Sequence, residues 1–377
     1  MRVLHAPANV GNQPWVLSRY ERQLGLSSDL WVNVTTSFAY AADRVLVRPD
    51  DPWDAQLRAR LVAGLQAPLD YDAFHFYFGR TILGGWDEDD NGVGYRLLDL
   101  DLAHRLGKPI VFTLQGCDAR LAGESARRYA HTPCRDGVCT IYPECVATHD
   151  ARRRRFVAEA LPKADRVFFL NPELGHYVPT GEFLPSASVD IAALEVCPPR
   201  LDRPPRIVHA PSDGAIKGTP AILAALEELR RDREFELLLV RNMTHAEAMQ
   251  LYRTADLVID QVLAGWYGGF AVEAMAMGKP VLCYLREEDF GHLPAALIAD
   301  LPIRNLRPDH LADDIAAALD RREEWGDWSR QSRRFVEKWH NPRLIAAAMI
   351  DLYRDPGAPF SLARHIAAAQ DAATVGD

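Results

Sequence analysis

Ala264-Gly265-Trp266-Tyr267-Gly268-Gly269-Phe270-Ala271-Val272-Glu273-Ala274-Met275-Ala276-Met277-Gly278-Lys279-Pro280-Val281 reads as loop, helix and strand within eighteen residues. Gly268-Gly269 bring backbone amides to the start of a helix over Phe270–Met277, where unpaired N–H groups and the helix dipole favour an anion. Glu273 falls one turn inside, about 5 Å further along the axis. A carboxylate there suits a ribose diol while the helix end takes phosphates; its plainer role is to complement the dipole. The Ala-Met-Ala-Met run reads as core, Gly278 as the C-cap, and Pro280 as the opening of the next strand.

Working outward, the second half alternates. Strands are expected at Arg206–Ala210, Phe235–Val240, Leu257–Gln261 and Pro280–Leu285, with helices from Thr219, over His245–Thr254 and over Phe270–Met277. Thr219 before Pro220 reads as an N-cap with proline at the first helical position. This grammar builds βαβ units on a parallel sheet. The first half repeats it less cleanly. Its strands are expected at Arg2–Ala6, Asp29–Val34, Arg44–Val47, Tyr71–Phe78, Pro109–Leu114 and Arg166–Leu170. Its helices fall at Trp15–Leu24, Ala55–Leu65, Arg96–Leu106 and Arg152–Leu161. Between the halves, Val196 to Pro205 carries four prolines in ten residues, a semi-rigid linker. The fold class is therefore α/β, with two Rossmann-like doubly wound domains facing across a cleft and C-terminal helices. The domains are expected at 1–197 and 206–335, with a helical segment, 336–377, returning to the first.

Composition narrows the function classes. Of 377 residues, 48% are apolar and 25% charged, with a formal charge of −9, a globular profile with room for two domains. A net-acidic chain lacks the basic footprint of a nucleic-acid binder. No apolar run nears the roughly 20 residues of a membrane-spanning helix, so membrane contact is expected to be peripheral at most. Pro7 and Asn9 interrupt the N-terminus before any signal-peptide core develops. Six cysteines are too few for a disulfide scaffold. A cytoplasmic location is expected, which leaves the sequons at Asn33 and Asn242 unused. Only five of the 43 cationic residues are lysines, which makes a lysine inside a glycine loop notable.

Such a lysine stands in Ser212-Asp213-Gly214-Ala215-Ile216-Lys217-Gly218-Thr219, between a strand and a helix. Glycine permits close backbone approach, the helix start supplies N–H groups, and Lys217 adds charge, a combination that suits a diphosphate. A plain strand–helix turn with an exposed lysine is the alternative. Lys-Gly-Thr-Pro, followed about 50 residues later by Gly-Gly-Phe-Ala-Val-Glu-Ala-Met-Ala-Met-Gly-Lys-Pro-Val, resembles the retaining, nucleotide-sugar-dependent glycosyltransferases of GT-B architecture related to glycogen and sucrose synthases. The first half matches them in pattern through Asn9-Val10-Gly11-Asn12, Tyr71 to His75 and Gly107 to Asp118.

The resemblance implies roles. Lys217 would neutralise the donor diphosphate, held by amides around Gly268, Gly269 and Phe270, and Glu273 would bind the ribose hydroxyls. Gly218 belongs to the same loop. Gly11 and Asn12 would lie near the transferring sugar, and His75 at a strand end facing the cleft. Retention in this family is explained by front-face attack, the leaving diphosphate accepting the acceptor's proton, so the protein supplies positioning and charge stabilisation. No cofactor is then required for catalysis. The expected partners are a nucleotide-diphosphate sugar and an unidentified acceptor. Two departures mark this chain: Gly265 stands where members often carry a second glutamate touching the donor sugar, and His209-Ala210-Pro211-Ser212 lacks the arginine that often precedes the loop lysine. Trp266, Tyr267 and His209 are then expected as this branch's own sugar contacts.

Other features have plainer readings. Cys117, Cys134, Cys139 and Cys145 lie within 29 residues and, with His131 and His149 flanking, form a candidate structural zinc set; unbonded loop cysteines are the alternative. Asp87-Glu88-Asp89-Asp90-Asn91-Gly92 begins like a calcium loop but places Leu98 where the bidentate glutamate belongs, and reads as a solvated acidic loop. Gly92-Val93-Gly94 fails as a dinucleotide fingerprint at Leu97. Arg152 to Arg155 read as a solvated helix face, with an anionic surface as the alternative. Three other functions fit the pattern: a nucleotide-sugar epimerase, a nucleotide-sugar-binding subunit without activity, and, least well, a nicotinamide-dependent oxidoreductase.

Overall fold

The computed structural model describes residues 1–36, 39–88 and 94–375, with side chains as far as Asp371. The chain divides into two units. The first comprises Met1–Leu121, Val146–Val189 and the segment from Asn341; the second comprises Ala122–Cys145 and Asp190–His340. Each unit is a doubly wound α/β domain, but the division does not fall at a single point. Ala122–Cys145 leaves the first half of the sequence to join the second unit, and the last two helices belong to the first.

Strands β1 (Arg2–Ala6), β2 (Ser27–Val32), β3 (Arg44–Val45), β4 (Ala73–Tyr77), β7 (Ile110–Leu114), β8 (Arg166–Phe169) and β9 (Glu182–Phe183) form a parallel sheet in the order β3-β2-β1-β4-β7-β8-β9; a separate antiparallel hairpin joins β5 (Arg80–Thr81) and β6 (Gly84–Gly85). The strands β4 and β7 are buried throughout, as expected where helices cover both faces of a parallel sheet. At its centre the Phe112 ring meets Phe76 at a tilt and Phe156 in a T-shaped contact. The Gln13–Gln23 helix lies against the Pro342–Arg354 helix.

A polar seam crosses this core. Tyr77 donates to His5 Nδ1 at 2.8 Å, and His5 Nε2 donates to Glu21 at 2.8 Å. Ser28 and Tyr353 also donate to Glu21, at 2.6 and 3.2 Å. His75 Nδ1 donates to the Tyr353 oxygen and its Nε2 accepts from Thr113, both at 2.7 Å. Each ring nitrogen thus has one consistent partner, which is what permits such a network to be buried.

The second unit contains β10 (Arg206–His209), β11 (Glu236–Leu239), β12 (Leu257–Ile259), β13 (Val281–Cys283) and β14 (Arg304–Asn305), all parallel, in the order β11-β10-β12-β13-β14. Ile207, Leu257, Ile259 and Leu282 of the sheet pack with Ile222, Leu226, Ile315 and Trp325 of the covering helices. The proline-rich stretch is tied to this unit: Cys197 N–H donates to Met277 O at 2.9 Å, and buried Lys279 donates to the carbonyls of Cys197, Arg253 and Ala255. Among the described residues, no helix is long and apolar enough to cross a membrane.

Candidate functional site

The order β11-β10-β12 reverses direction between β10 and β12, and doubly wound sheets bind ligands beyond the carboxyl ends of the strands flanking that reversal. The lysine loop follows β10. Asp213 shapes it, its carboxylate accepting from the N–H groups of Ala215 and Ile216 at 2.9 and 3.0 Å. Gly218 closes it at φ +74°, with Val262 Cγ2 only 2.4 Å from where a Cβ would stand, so glycine is required. Gly218, and not Thr219, is the N-cap of the Thr219–Leu229 helix. Thr219 is otherwise occupied, its hydroxyl donating to His209 Nε2 at 2.8 Å while His209 Nδ1 donates to Ile259 O at 2.9 Å.

Lys217 Nζ pairs with Asp260 Oδ1 at 2.8 Å. Asp260 immediately follows β12, its Oδ2 accepting the Gly268 N–H at 2.7 Å. A Cβ on Gly268 would stand 3.1 Å from Lys217 Nζ. Ammonium, carboxylate and glycine loop are thus gathered at the strand reversal. Gly268 caps the Gly269–Ala276 helix, and among the described residues no side-chain cap hydrogen bond is made there. One turn in, Glu273 Oε1 lies 2.6 Å from Nε2 of half-exposed His245, and that hydrogen bond raises the imidazole pKa above its usual 6.5. From the end of β11, exposed Arg241 reaches Gly214, its Nη2 3.3 Å from the Cβ position there. Among the described residues Arg241 has no ion-pair partner, so a cation stands beside the lysine loop even though none precedes it in sequence.

Four expected contacts lie inside the protein. His75 sits within β4, not at its end, fully buried with both nitrogens engaged. His209 is equally buried and doubly bonded, and burial lowers its pKa, keeping it neutral. Trp266 and Tyr267 turn inward, and Tyr267 Oη lies 2.9 Å from His340 Nε2. For Trp266 and Tyr267 the cause is hydrophobic burial of large rings. Gly265 stands at φ +77°, where a Cβ would meet Arg286 Cζ at 2.6 Å. Arg286 occupies that volume, its guanidinium 3.6 Å from the Tyr129 ring centroid, donating to His131 O at 2.8 Å and paired with Asp289 at 3.2 Å.

Sequence reading missed Asp260, His245, Arg241 and Arg286. Asp260 was open to detection, since a carboxylate directly after the apolar Leu257-Val258-Ile259 run stands at a strand's carboxyl end; the other three have no local signal. In the first unit, Gly11 and Asn12 both adopt φ +61° at the start of the Gln13–Gln23 helix.

The candidate zinc cysteines are divided between the two units. Cys134 and Cys145 pack in a small apolar cluster with Ala122 and Tyr142 in the second unit, Cys117 belongs to the first, and no disulfide forms. Among the described residues no three His, Cys, Asp or Glu side chains are grouped to hold a metal. Of the acidic loop, Asp87 pairs with Arg80 and Glu88 with Arg60, while 89–93 lie outside the described residues. The arginine run is not a wholly solvated face: Arg153 is buried over Trp86 at 4.4 Å and pairs with Asp150.

No family model matches the sequence, and no curated protein matches it. Solved structures do match along nearly the whole chain. Sucrose-phosphate synthase from Thermosynechococcus elongatus aligns with TM-score 0.59 and 17% identity over 94% of this chain and 98% of that one. Anabaena HepE in complex with UDP-glucose aligns with TM-score 0.55 and 10% identity, covering 93% and 98%. UDP-GlcNAc 2-epimerase from Neisseria meningitidis, bound to UDP-GlcNAc, aligns with TM-score 0.50 and 10% identity, covering 93% and 99%. The chain has the two-domain GT-B fold, shared by glycosyltransferases and by an epimerase.

Proposed function

We propose that the protein is a retaining glycosyltransferase that moves a sugar from a nucleotide-diphosphate sugar to an acceptor, with no cofactor required for catalysis. One observation carries this reading: Lys217, Asp260 and the bare N-terminus of the Gly269–Ala276 helix converge where the second unit's strand order reverses. The UDP and UDP-sugars bound by two fold neighbours supply the donor class by analogy.

The roles follow from charge. A leaving diphosphate gains negative charge as the glycosidic bond breaks, and helix N–H groups with nearby cations stabilise that change without reorganising. Asp260 compensates much of the Lys217 charge, so its part is to aim the ammonium and Gly268. The helix N–H groups and Arg241 then supply the net attraction. Glu273 receives the ribose hydroxyls, exchanging His245 for them.

A nucleotide panel (UDP, GDP, ADP and dTDP) by thermal shift tests the donor site. One nucleotide should stabilise the wild type and fail on Lys217→Ala; at a hundredfold excess over Kd the stabilisation is about 2.7 kcal/mol. No response to any of the four rejects the reading. The epimerase neighbour supports a second reading, separated from the first by incubating donor without acceptor: an epimerised nucleotide sugar identifies it.

A further inference from the structure

The Trp53–Asp70 helix of the first unit carries its larger apolar side chains on its outer face. A surface helix ordinarily directs such side chains to the core and polar ones to water. Here the buried residues are Ala63, Gly64, Ala67 and Pro68, while Val62, Leu65 and Leu69 are 53, 43 and 74% exposed. Leu57 and Leu61 are half-buried at the margin. Close packing fixes this orientation. A Cβ on Gly64 would stand 2.5 Å from Leu83 Cγ, so the helix has no room to roll the leucines inward.

The exposed residues form a pattern. Ala55, Arg58, Val62, Leu65 and Leu69 are all exposed and follow one another at intervals of three, four, three and four residues. That is a 3.5-residue period, the spacing of a seam along which two helices pack side by side. Single exposed leucines need no explanation, but a row of them on one helix marks an interaction surface.

The charges at the two ends of the row decide what covers it. Exposed Arg58 lies toward the amino end, 3.4 Å from Asp54, and half-buried Asp70 closes the carboxyl end. A face with an apolar middle, a cation at one end and an anion at the other is complementary to itself reversed. With two copies antiparallel about a two-fold axis, Val62 of one meets Leu65 of the other. Arg58 then meets Leu69, with Asp70 beside it, at the carboxyl end of the opposite helix, where the dipole also favours a cation. Symmetry repeats each contact. An anionic lipid surface fits less well, because the segment from Arg44 to Asp72 holds four arginines and five aspartates and lacks the basic flank of a membrane-binding helix.

We propose that the outer face of the Trp53–Asp70 helix is a homodimer interface, on which a second copy of this chain lays the same helix antiparallel. With three large apolar side chains from each copy, the interface is small and the dimer reversible.

Sedimentation velocity of the full chain over a hundredfold range of loading tests this. The wild type should pass from monomer to dimer as concentration rises. Leu65→Glu brings two carboxylates together near the axis and should raise the dimer dissociation constant tenfold or more. Leu69→Gln, a milder change, serves as the second variant. Both should keep the wild-type melting temperature at the lowest loading, where the wild type is monomeric, because these side chains face water in the single chain. Arg58→Glu and Asp70→Lys should each weaken the dimer, and their combination should restore it, since the pairs re-form between copies with reversed sign. A wild type that stays monomeric at every loading, a dimer indifferent to Leu65→Glu and Leu69→Gln, or no recovery in the charge-reversed double variant overturns the proposal. Flotation with vesicles of phosphatidylglycerol and phosphatidylcholine supplies the remaining arm. Vesicle binding that is lost in Leu65→Glu would put a membrane on this face and overturn the dimer.

Discussion

Asp260 Oδ1 lies 2.8 Å from Lys217 Nζ while its Oδ2, 2.7 Å from the Gly268 nitrogen, accepts that backbone N–H. One buried carboxylate therefore sets the position of both the cation and the loop that starts the Gly269–Ala276 helix.

Removing one member of this pair is expected to cost more than removing both. Lys217→Met leaves a fully buried carboxylate with the Gly268 N–H as its main partner, a loss of about 3 kcal/mol. Lys217→Met with Asp260→Asn restores much of it, because a neutral amide still accepts from Gly268. Urea unfolding measures the recovery, and nucleotide binding should stay lost in the double variant. Recovery of binding with stability would remove Lys217 from the site.

Two neighbouring glycines should separate stability from binding. At Gly265 the positive φ and the buried Arg286 guanidinium leave no room for a methyl group, so Gly265→Ala is expected to destabilise by about 2–4 kcal/mol. At Gly268 the backbone is extended and the nearest atom is the flexible end of Lys217. Gly268→Ala should therefore change stability by about 0.5 kcal/mol or less while weakening nucleotide binding roughly tenfold, or about 1.4 kcal/mol. Paired unfolding and calorimetric titration check this; equal stability losses would contradict it.

The alternating strands and helices were legible because a parallel sheet covered on both faces leaves apolar runs such as Ala73–Tyr77 and Ile110–Leu114 at regular spacing. Glycine loops were legible for a similar reason, since Gly218 marks a place where a Cβ would collide with Val262 and Gly268 one where it would crowd the Lys217 ammonium. What escaped depends on long-range placement. Ala122–Cys145 carries no compositional break, yet Tyr129 donates to Asp289 and stacks on Arg286, contacts across some 160 residues of sequence. His75 and His209 look in sequence like site residues because imidazoles are rare inside cores. Only the partners at Thr113, Tyr353, Ile259 and Thr219 reveal them as satisfied core groups.

Glu273 links nucleotide binding to pH. The carboxylate raises the His245 pKa above 6.5, so the pair's stabilisation is fully present below pH 6.5 and is lost as pH rises through the folded value. If ribose hydroxyls displace His245, binding releases a proton and affinity increases with pH across that window. Calorimetry in buffers of different ionisation enthalpy should register the release, and His245→Asn should abolish it. A pH-independent affinity in the wild type would show that Glu273 keeps His245 in the complex.

The buried histidines predict the opposite slope for stability. Burial drives the pKa of His75 well below 6.5 and lowers that of His209, so both are neutral when folded and take up protons on unfolding in mild acid. Their contribution is present above pH 6.5 and is lost as pH falls below it, at up to about 1.4 kcal/mol per pH unit for each proton taken up. His75→Asn removes one such proton and should flatten the fall in unfolding free energy between pH 6.5 and 5. The readout is the slope, because losing the bonds to Tyr353 and Thr113 lowers stability at every pH. An unchanged slope would mean that His75 is protonated in the folded protein, with its Nε2 proton aimed at Thr113.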